Sequence, residues 1–207
     1  MIFKPTGTSQ VLIKAVKEII KKPKILDLGC GCGEVGISLL DLGEVFASDI
    51  DQEAVDSIDT AKNGIDARCG NLFEPWVDME FDIIVDDVSG VAEDVAKISP
   101  WFEGVPCETG SDGTKLVCEV LKQAPNYLLP NGKLFFPIVS FSDINKILGV
   151  ANENFLIEQL SHTEFPLPKE MYKHRDLLNK LKAEGKIHFE EKFGMIIYWT
   201  DIYVAYN

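Results

Sequence analysis

The stretch ILDLGCGCGEVG, residues 25–36, sets a carboxylate at Asp27 and then glycines at Gly29, Gly31 and Gly33, each two residues beyond the last. Its apolar start reads as a buried strand, its glycines as a tight turn and its amphipathic end as a helix. In an open α/β sheet this is where backbone N–H groups face a ligand. Glycine there lets the main chain pass close to a cofactor that any Cβ would push away. The turn, Cys30 included, is therefore a candidate cofactor site.

Two cofactors fit the turn unequally. Gly31, Gly33 and Gly36 complete GxGxxG, the dinucleotide pattern, which is weak alone because glycine turns between strand and helix are common. DxGxGxG, from Asp27 to Gly33, adds a carboxylate at the end of the strand. A pyrophosphate is repelled by that charge, whereas the ammonium of a methionine moiety is attracted to it, directly or through water. The pattern favours S-adenosylmethionine over NAD.

A sheet must hold these residues, and apolar runs alternate with helical patterns at the spacing of repeated βα units. The periodicity predicts helices over residues 9–22, 34–41, 53–62, 111–124, 143–152 and 169–184. Strands are predicted over 24–28, 44–48, 65–69, 81–86, 133–139, 155–161 and within 195–206. Asp51 is placed to cap the third helix and Ser111 or Asp112 the fourth, and Pro130, Asn131 and Gly132 read as a turn. The order gives a Rossmann-like α/β fold: a doubly wound, mostly parallel seven-stranded sheet with helices on both faces. Its last strand is antiparallel, beside the sixth. Residues 87–110 and 163–194 exceed normal loop length, and long loops on such sheets serve binding.

The 207 residues suit one domain, 1–207, and 46% hydrophobic with 26% charged residues is ordinary for a soluble globular protein. Neither a long apolar run nor a leader is read, so no membrane partner is expected and the location is cytoplasmic. Twenty basic against 33 acidic residues give a net charge of −13, which disfavours nucleic acid and favours a neutral or basic partner. The basic run Lys169, Lys173, His174, Arg175, Lys180 and Lys182 reads as a solvated helix face. The 5 cysteines lack a CxxC pair and are read as reduced, buried thiols, without a zinc site.

With these pieces in order, residues 3–155 resemble the class I methyltransferases that use S-adenosylmethionine. The likeness is strongest to the small-domain group that includes release-factor glutamine and some ribosomal RNA guanine methyltransferases. The resemblance implies that Asp27, Gly29, Cys30, Gly31 and Gly33 hold the methionine part of the cofactor. It assigns Asp49 of VFASDID to the ribose hydroxyls and Ile50 to the adenine. GNLFEP, residues 70–75, stands where the family often has GDLFEP; Asn71, followed by Leu72, replaces the acid near the adenine amine, and its amide oxygen still accepts a hydrogen bond. KPTGTS, residues 4–9, resembles the segment that closes over the cofactor, with Thr8 as a contact or a helix cap.

One departure bears on the acceptor. After FDIIV, relatives that methylate planar amides or exocyclic amines carry Asn or Asp, Pro-Pro and an aromatic, where this chain has Asp87, Val88, Ser89 and Gly90, with Asp86 immediately before. Asp87 still accepts from an amine, but the stacking ring is missing, which counts against glutamine and nucleobase methylation. Trp101 and Phe102 are read equally as a substitute platform and as core aromatics. Methyl transfer from a sulfonium needs alignment, exclusion of water and at most removal of a proton. Asp86, Asp87, Glu108, His162 and Glu164 are candidate bases, Asp87 foremost, and no metal is expected. The reading is methyl transfer to nitrogen or oxygen of a protein side chain or small molecule. Methylation of ribosomal or transfer RNA is the alternative, as is a catalytically silent or NAD-binding module.

Overall fold

Strand β1 (Lys24–Leu28) shows no alternation: every residue after Lys24 is buried, as in a strand covered on both faces. Its neighbours are β2 (Glu44–Asp49) on one side and β4 (Phe81–Asp86) on the other, both parallel to it. The computed structural model describes residues 7–16, 22–58, 60–103, 105 and 107–206. With β3 (Asp66–Cys69), β5 (Leu128–Val139), β6 (Leu156–Pro166), β7 (Glu190–Lys192) and β8 (Met195–Tyr206), the sheet runs β3-β2-β1-β4-β5-β8-β6, and β7 pairs with β8. Strand β8 is antiparallel to both β5 and β6, so the expected antiparallel last strand lies between them.

Successive strand residues point to opposite faces, and each face has its helices. Leu12 and Val16 of α1 (Gly7–Val16) and Val35 and Leu39 of α2 (Glu34–Leu39) pack on Ile25, Val45, Ile83 and Ile202. Val117 and Leu121 of α6 (Lys115–Gln123) and Ile147 and Ala151 of α7 (Ile144–Asn154) pack on Leu26, Ile84, Leu134 and Phe136. A third cluster joins α5 (Glu93–Ala96) and α8 (Arg175–Ala183) through Val95, Phe141, Met171, Leu178 and Ile196. Among the described residues no helix is long and apolar enough to cross a membrane.

Several expectations need correction. The sheet has eight strands, because β7 joins β8 in a short antiparallel pair. Residues 163–194 are largely regular: they hold the end of β6, a 3-10 segment (Lys169–His174), α8 and β7. The helix expected over 53–62 breaks into α3 (Gln52–Ser57) and α4 (Thr60–Asn63), because Ile58 turns extended and enters the core. The helix expected from 111 starts at Lys115; Asp112 instead accepts from the Thr114 N–H at 3.2 Å and hydroxyl at 2.8 Å. Pro130 to Gly132 is a register shift inside β5, with Asn131 at φ 67°, and does not end the strand. Cys69 is exposed because β3 is an edge strand, whereas Cys30 and Cys118 are buried and all five thiols are free. Asp51 does cap α3, accepting from the Glu53 N–H at 2.9 Å. Residues 17–21 of the first predicted helix, and residues 4–6 of KPTGTS, lie outside the described residues.

Candidate functional site

Parallel register brings the carboxyl ends of three strands level: Leu28 of β1 faces Ser48 of β2 and Asp86 of β4. The strand ends therefore collect Asp27, Asp49, Asp86 and Asp87 on one rim. The glycine turn is held against that rim from within. Gly29 and Cys30 N–H donate to the Ser48 carbonyl at 2.9 and 3.1 Å, and Gly33 N–H donates to the Cys30 carbonyl at 2.7 Å. Gly31 N–H donates to Asp49 Oδ2 at 2.9 Å, while Asp49 Oδ1 accepts from Asp51 N–H at 2.9 Å. These four N–H groups are thus spent inside the protein, contrary to the expectation that they face a ligand.

Gly29, Gly31 and Gly33 have φ of 74°, 52° and 81°, a region that penalises other residues. At Gly29 a Cβ would also lie 2.9 Å from Val88 Cα, so the glycine admits the backbone that follows β4. Asp27 is fully buried; its Oδ2 accepts from Gly36 N–H at 2.8 Å and its Oδ1 has no partner. Burial first, then the charge of Asp87, pushes its carboxyl well above the usual range, against the Gly36 hydrogen bond. Burial likewise pushes the Cys30 thiol up, with Asp27 adding to the effect.

Around the turn, Ile50 stands 74% exposed beside Asp49. Leu72 is buried with φ 48°, and its carbonyl accepts from Ser48 Oγ at 3.1 Å. The half-buried Asn71 donates its N–H to Glu74 Oε2 at 3.2 Å. Each Asp49 oxygen uses one hydrogen bond and keeps further acceptor capacity for a diol. The orphaned Asp27 oxygen, the carboxylate of Asp49 and the exposed Ile50 fit a ligand with a cationic end, vicinal hydroxyls and an apolar ring.

Beyond β4 the rim changes character. Asp86 is fully buried, its Oδ1 accepting from Val88 N–H at 3.2 Å and its Oδ2 unpartnered, and burial pushes it up to about 8. Asp87 is half-buried, and Ser9 Oγ donates to its Oδ2 at 2.9 Å and Oδ1 at 3.3 Å. Burial, opposed by the Ser9 hydroxyl, pushes Asp87 up to about 7. Asp87 opens into a pocket of about 560 Å³, mouth included, with Thr8, Val88, Ser89, Trp101, Phe102, Pro137, Val139 and Tyr198 among its lining.

The structure thus separates the candidates. Thr8 lies in the pocket with Asp87, within the first turn of α1, its hydroxyl 3.0 Å from that of Thr200. Asp86 sits beneath. Glu108, His162 and Glu164 do not line the pocket: His162 Nδ1 is 2.6 Å from Asp201 Oδ1, and Glu164 pairs with Lys192 at 2.6 Å. Among the described residues, no group of three or more His, Cys, Asp or Glu is placed to hold a metal. Ser9, which donates to Asp87, and Tyr198, which lines the pocket, escaped the sequence reading. Ser9 carried a faint signal inside KPTGTS, whereas Tyr198 reaches the pocket because β8 is threaded opposite Phe165 of β6. Its ring stacks with Phe141 at 5.0 Å and Phe165 at 5.4 Å, and burial pushes its hydroxyl up to about 12.

The family described as methyltransferase small domain matches residues 6–87. Ribosomal protein L11 methyltransferase of Lactobacillus johnsonii is 25% identical over 166 residues, covering 77% of this chain and 45% of that protein. The chain therefore spans about half the length of that curated relative. Among solved structures, the E. cuniculi Mtq2–Trm112 complex, which methylates the eRF1 termination factor, matches with TM-score 0.62 at 14% identity, over 100% of this chain and 98% of that one. The T. thermophilus 16S rRNA N2 G1207 methyltransferase RsmC, in complex with AdoMet and guanosine, matches with TM-score 0.57 at 18% identity, over 99% of this chain and 44% of that one. At such identities these two likenesses are of fold.

Proposed function

We infer that this chain is a class I, S-adenosylmethionine-dependent methyltransferase of the small-domain group, the family whose sequence pattern and fold it shares. In this reading residues 1–207 form one domain that transfers a methyl group to nitrogen or oxygen of a protein side chain or small molecule. One observation carries the cofactor: the turn's N–H groups at Gly29, Cys30, Gly31 and Gly33 are consumed internally, while a buried Asp27 oxygen is left without a partner. A pyrophosphate needs free donors, whereas an ammonium needs acceptors. The rim therefore suits the methionine end of S-adenosylmethionine and not NAD.

S-adenosylmethionine supplies a methyl group already activated on a sulfonium. Asp27 and the turn at Gly29, Cys30, Gly31 and Gly33 would hold the methionine part, and Asp49 the ribose hydroxyls. Ile50 and Leu72 would flank the adenine, with Asn71 accepting from its amine. Asp87, steadied by Ser9, would orient the acceptor and take its proton; Thr8 and the aromatic wall would exclude water. RNA remains the weaker acceptor. The net charge is −13, and part of the basic run over residues 169–182 is engaged within the protein, Arg175 pairing with Glu191 and Lys182 donating to the Phe189 carbonyl.

Calorimetric titration with S-adenosylmethionine, S-adenosylhomocysteine and NAD tests the assignment. Micromolar binding of both adenosyl compounds and none of NAD is the expected result; the reverse pattern would leave only the fold.

A further inference from the structure

We propose that the acceptor taken by the Asp87 pocket is an aliphatic amine, entering as an ammonium group that Asp87 binds and deprotonates. The proposal rests on the methyl-transfer reading of the same rim. Asp87 is the only charged group among the described residues lining the pocket; besides the hydroxyls of Thr8, Ser89 and Tyr198, its walls are apolar or aromatic. A cation entering there meets one carboxylate beside the aromatic side chains of Trp101, Phe102 and Tyr198, a setting in which ion pairing is strengthened by apolar surroundings and an alkyl chain finds packing partners.

Shape argues in the same direction. A planar amide or nucleobase stacks on an open flat ring, but the Trp101 and Tyr198 rings, 5.2 Å apart and tilted by 52°, lean on each other and leave no flat slot between them. Gly90 occupies the position where a stacking ring would rise from the strand end. A tetrahedral amine on an alkyl chain needs no flat slot, and its methylenes pack on rings at any tilt.

The chemistry then needs a base. An ammonium nitrogen has no lone pair, so one N–H bond must break and an O–H bond form on Asp87 first. The freed nitrogen lone pair forms the new N–C bond. The methyl carbon's bond to sulfur breaks, its electron pair staying on sulfur as a neutral thioether. The product leaves as a methylammonium, and the proton held by Asp87 passes to water. The groups bearing on Asp87 are Ser9, which donates to it, and the carboxyls of Asp27 and Asp86, electrostatically coupled to it. Burial, opposed by the Ser9 hydroxyl, leaves Asp87 at about 7, where a base is effective.

The test compares pentylamine with pentanamide, equal in length but differing in charge, by calorimetry on the full chain with and without S-adenosylhomocysteine. Pentylamine should bind at least tenfold tighter. Asp87→Asn should erase that preference while changing S-adenosylhomocysteine affinity less than threefold. Labelled methyl should pass to pentylamine or to the lysine of an acetylated peptide, the arm that responds identifying a free or protein-borne amine. Equal binding of amine and amide, or transfer to pentanamide or guanosine instead, overturns the proposal while S-adenosylhomocysteine binding keeps the methyltransferase reading. Preferred amine binding without any adenosyl binding keeps the pocket assignment and sinks the methyltransferase reading.

Discussion

Asp86 and Asp87 are neighbours that burial treats alike and hydrogen bonding separates, since only Asp87 has a side-chain donor, Ser9. Both carboxyls are raised, to about 8 and about 7, so in the folded protein they keep protons that the unfolded chain gives up near pH 4. The stability of their neutral forms is complete below about pH 4 and is lost as pH rises through the folded values. Asp86→Asn should therefore raise the melting temperature by several degrees at pH 8.5 and by little near pH 4, in scanning calorimetry at both pH values. Asp49 acts differently, tying Gly31 to Asp51 through both oxygens. Asp49→Ala removes two charge-assisted hydrogen bonds and the diol's acceptors, so affinity for S-adenosylhomocysteine should fall at least ~30-fold, about 2 kcal/mol. Faster amide exchange at Gly31 would trace part of that loss to the turn itself.

At the scale of the element, the turn after β1 is fixed by what leans on it. Gly29 has φ +74° and a Cβ there would lie 2.9 Å from the Val88 backbone, whereas Gly64 has φ +70° and nothing within 4 Å of the same position. Alanine at Gly64 should cost about 1 kcal/mol of strain, and at Gly29 about 3 kcal/mol, in urea unfolding of the two variants. The strand and the turn were legible because each is written in a few adjacent residues. What the turn's N–H groups do was not, since Ser48 and Asp49 come from β2 and only register brings them close. The break at Ile58 was hidden too: a helical run of residues 53–62 says nothing about which side chain the core will claim. The place of Tyr198 was hidden as well, because its neighbours Phe165 and Trp101 are brought to it only by the tertiary fold.

Across the whole molecule, the two ends of the rim are built by different parts of the chain. The residues proposed to hold the cofactor sit on β1, β2 and the segment after β3, joined by short parallel crossovers. The pocket wall instead depends on β8, which pairs with β5 from Lys133 to Val139 and with β6 from Leu156 to Pro166. In synthesis β8 emerges after both strands it separates. Until then β6 has no strand partner among the described residues, and loop closure makes such distant pairing slow. Assembly is thus expected in two stages, a rim that binds before it can select, then a late keystone strand that brings Tyr198 to its place. Pulse-labelled hydrogen exchange during refolding should show β6 and β8 gaining protection together, after β1, β2 and β4. Under the proposed reading, a nascent chain paused before β8 would already own a donor site with no acceptor wall, harmless because it has nothing to hold an acceptor in line.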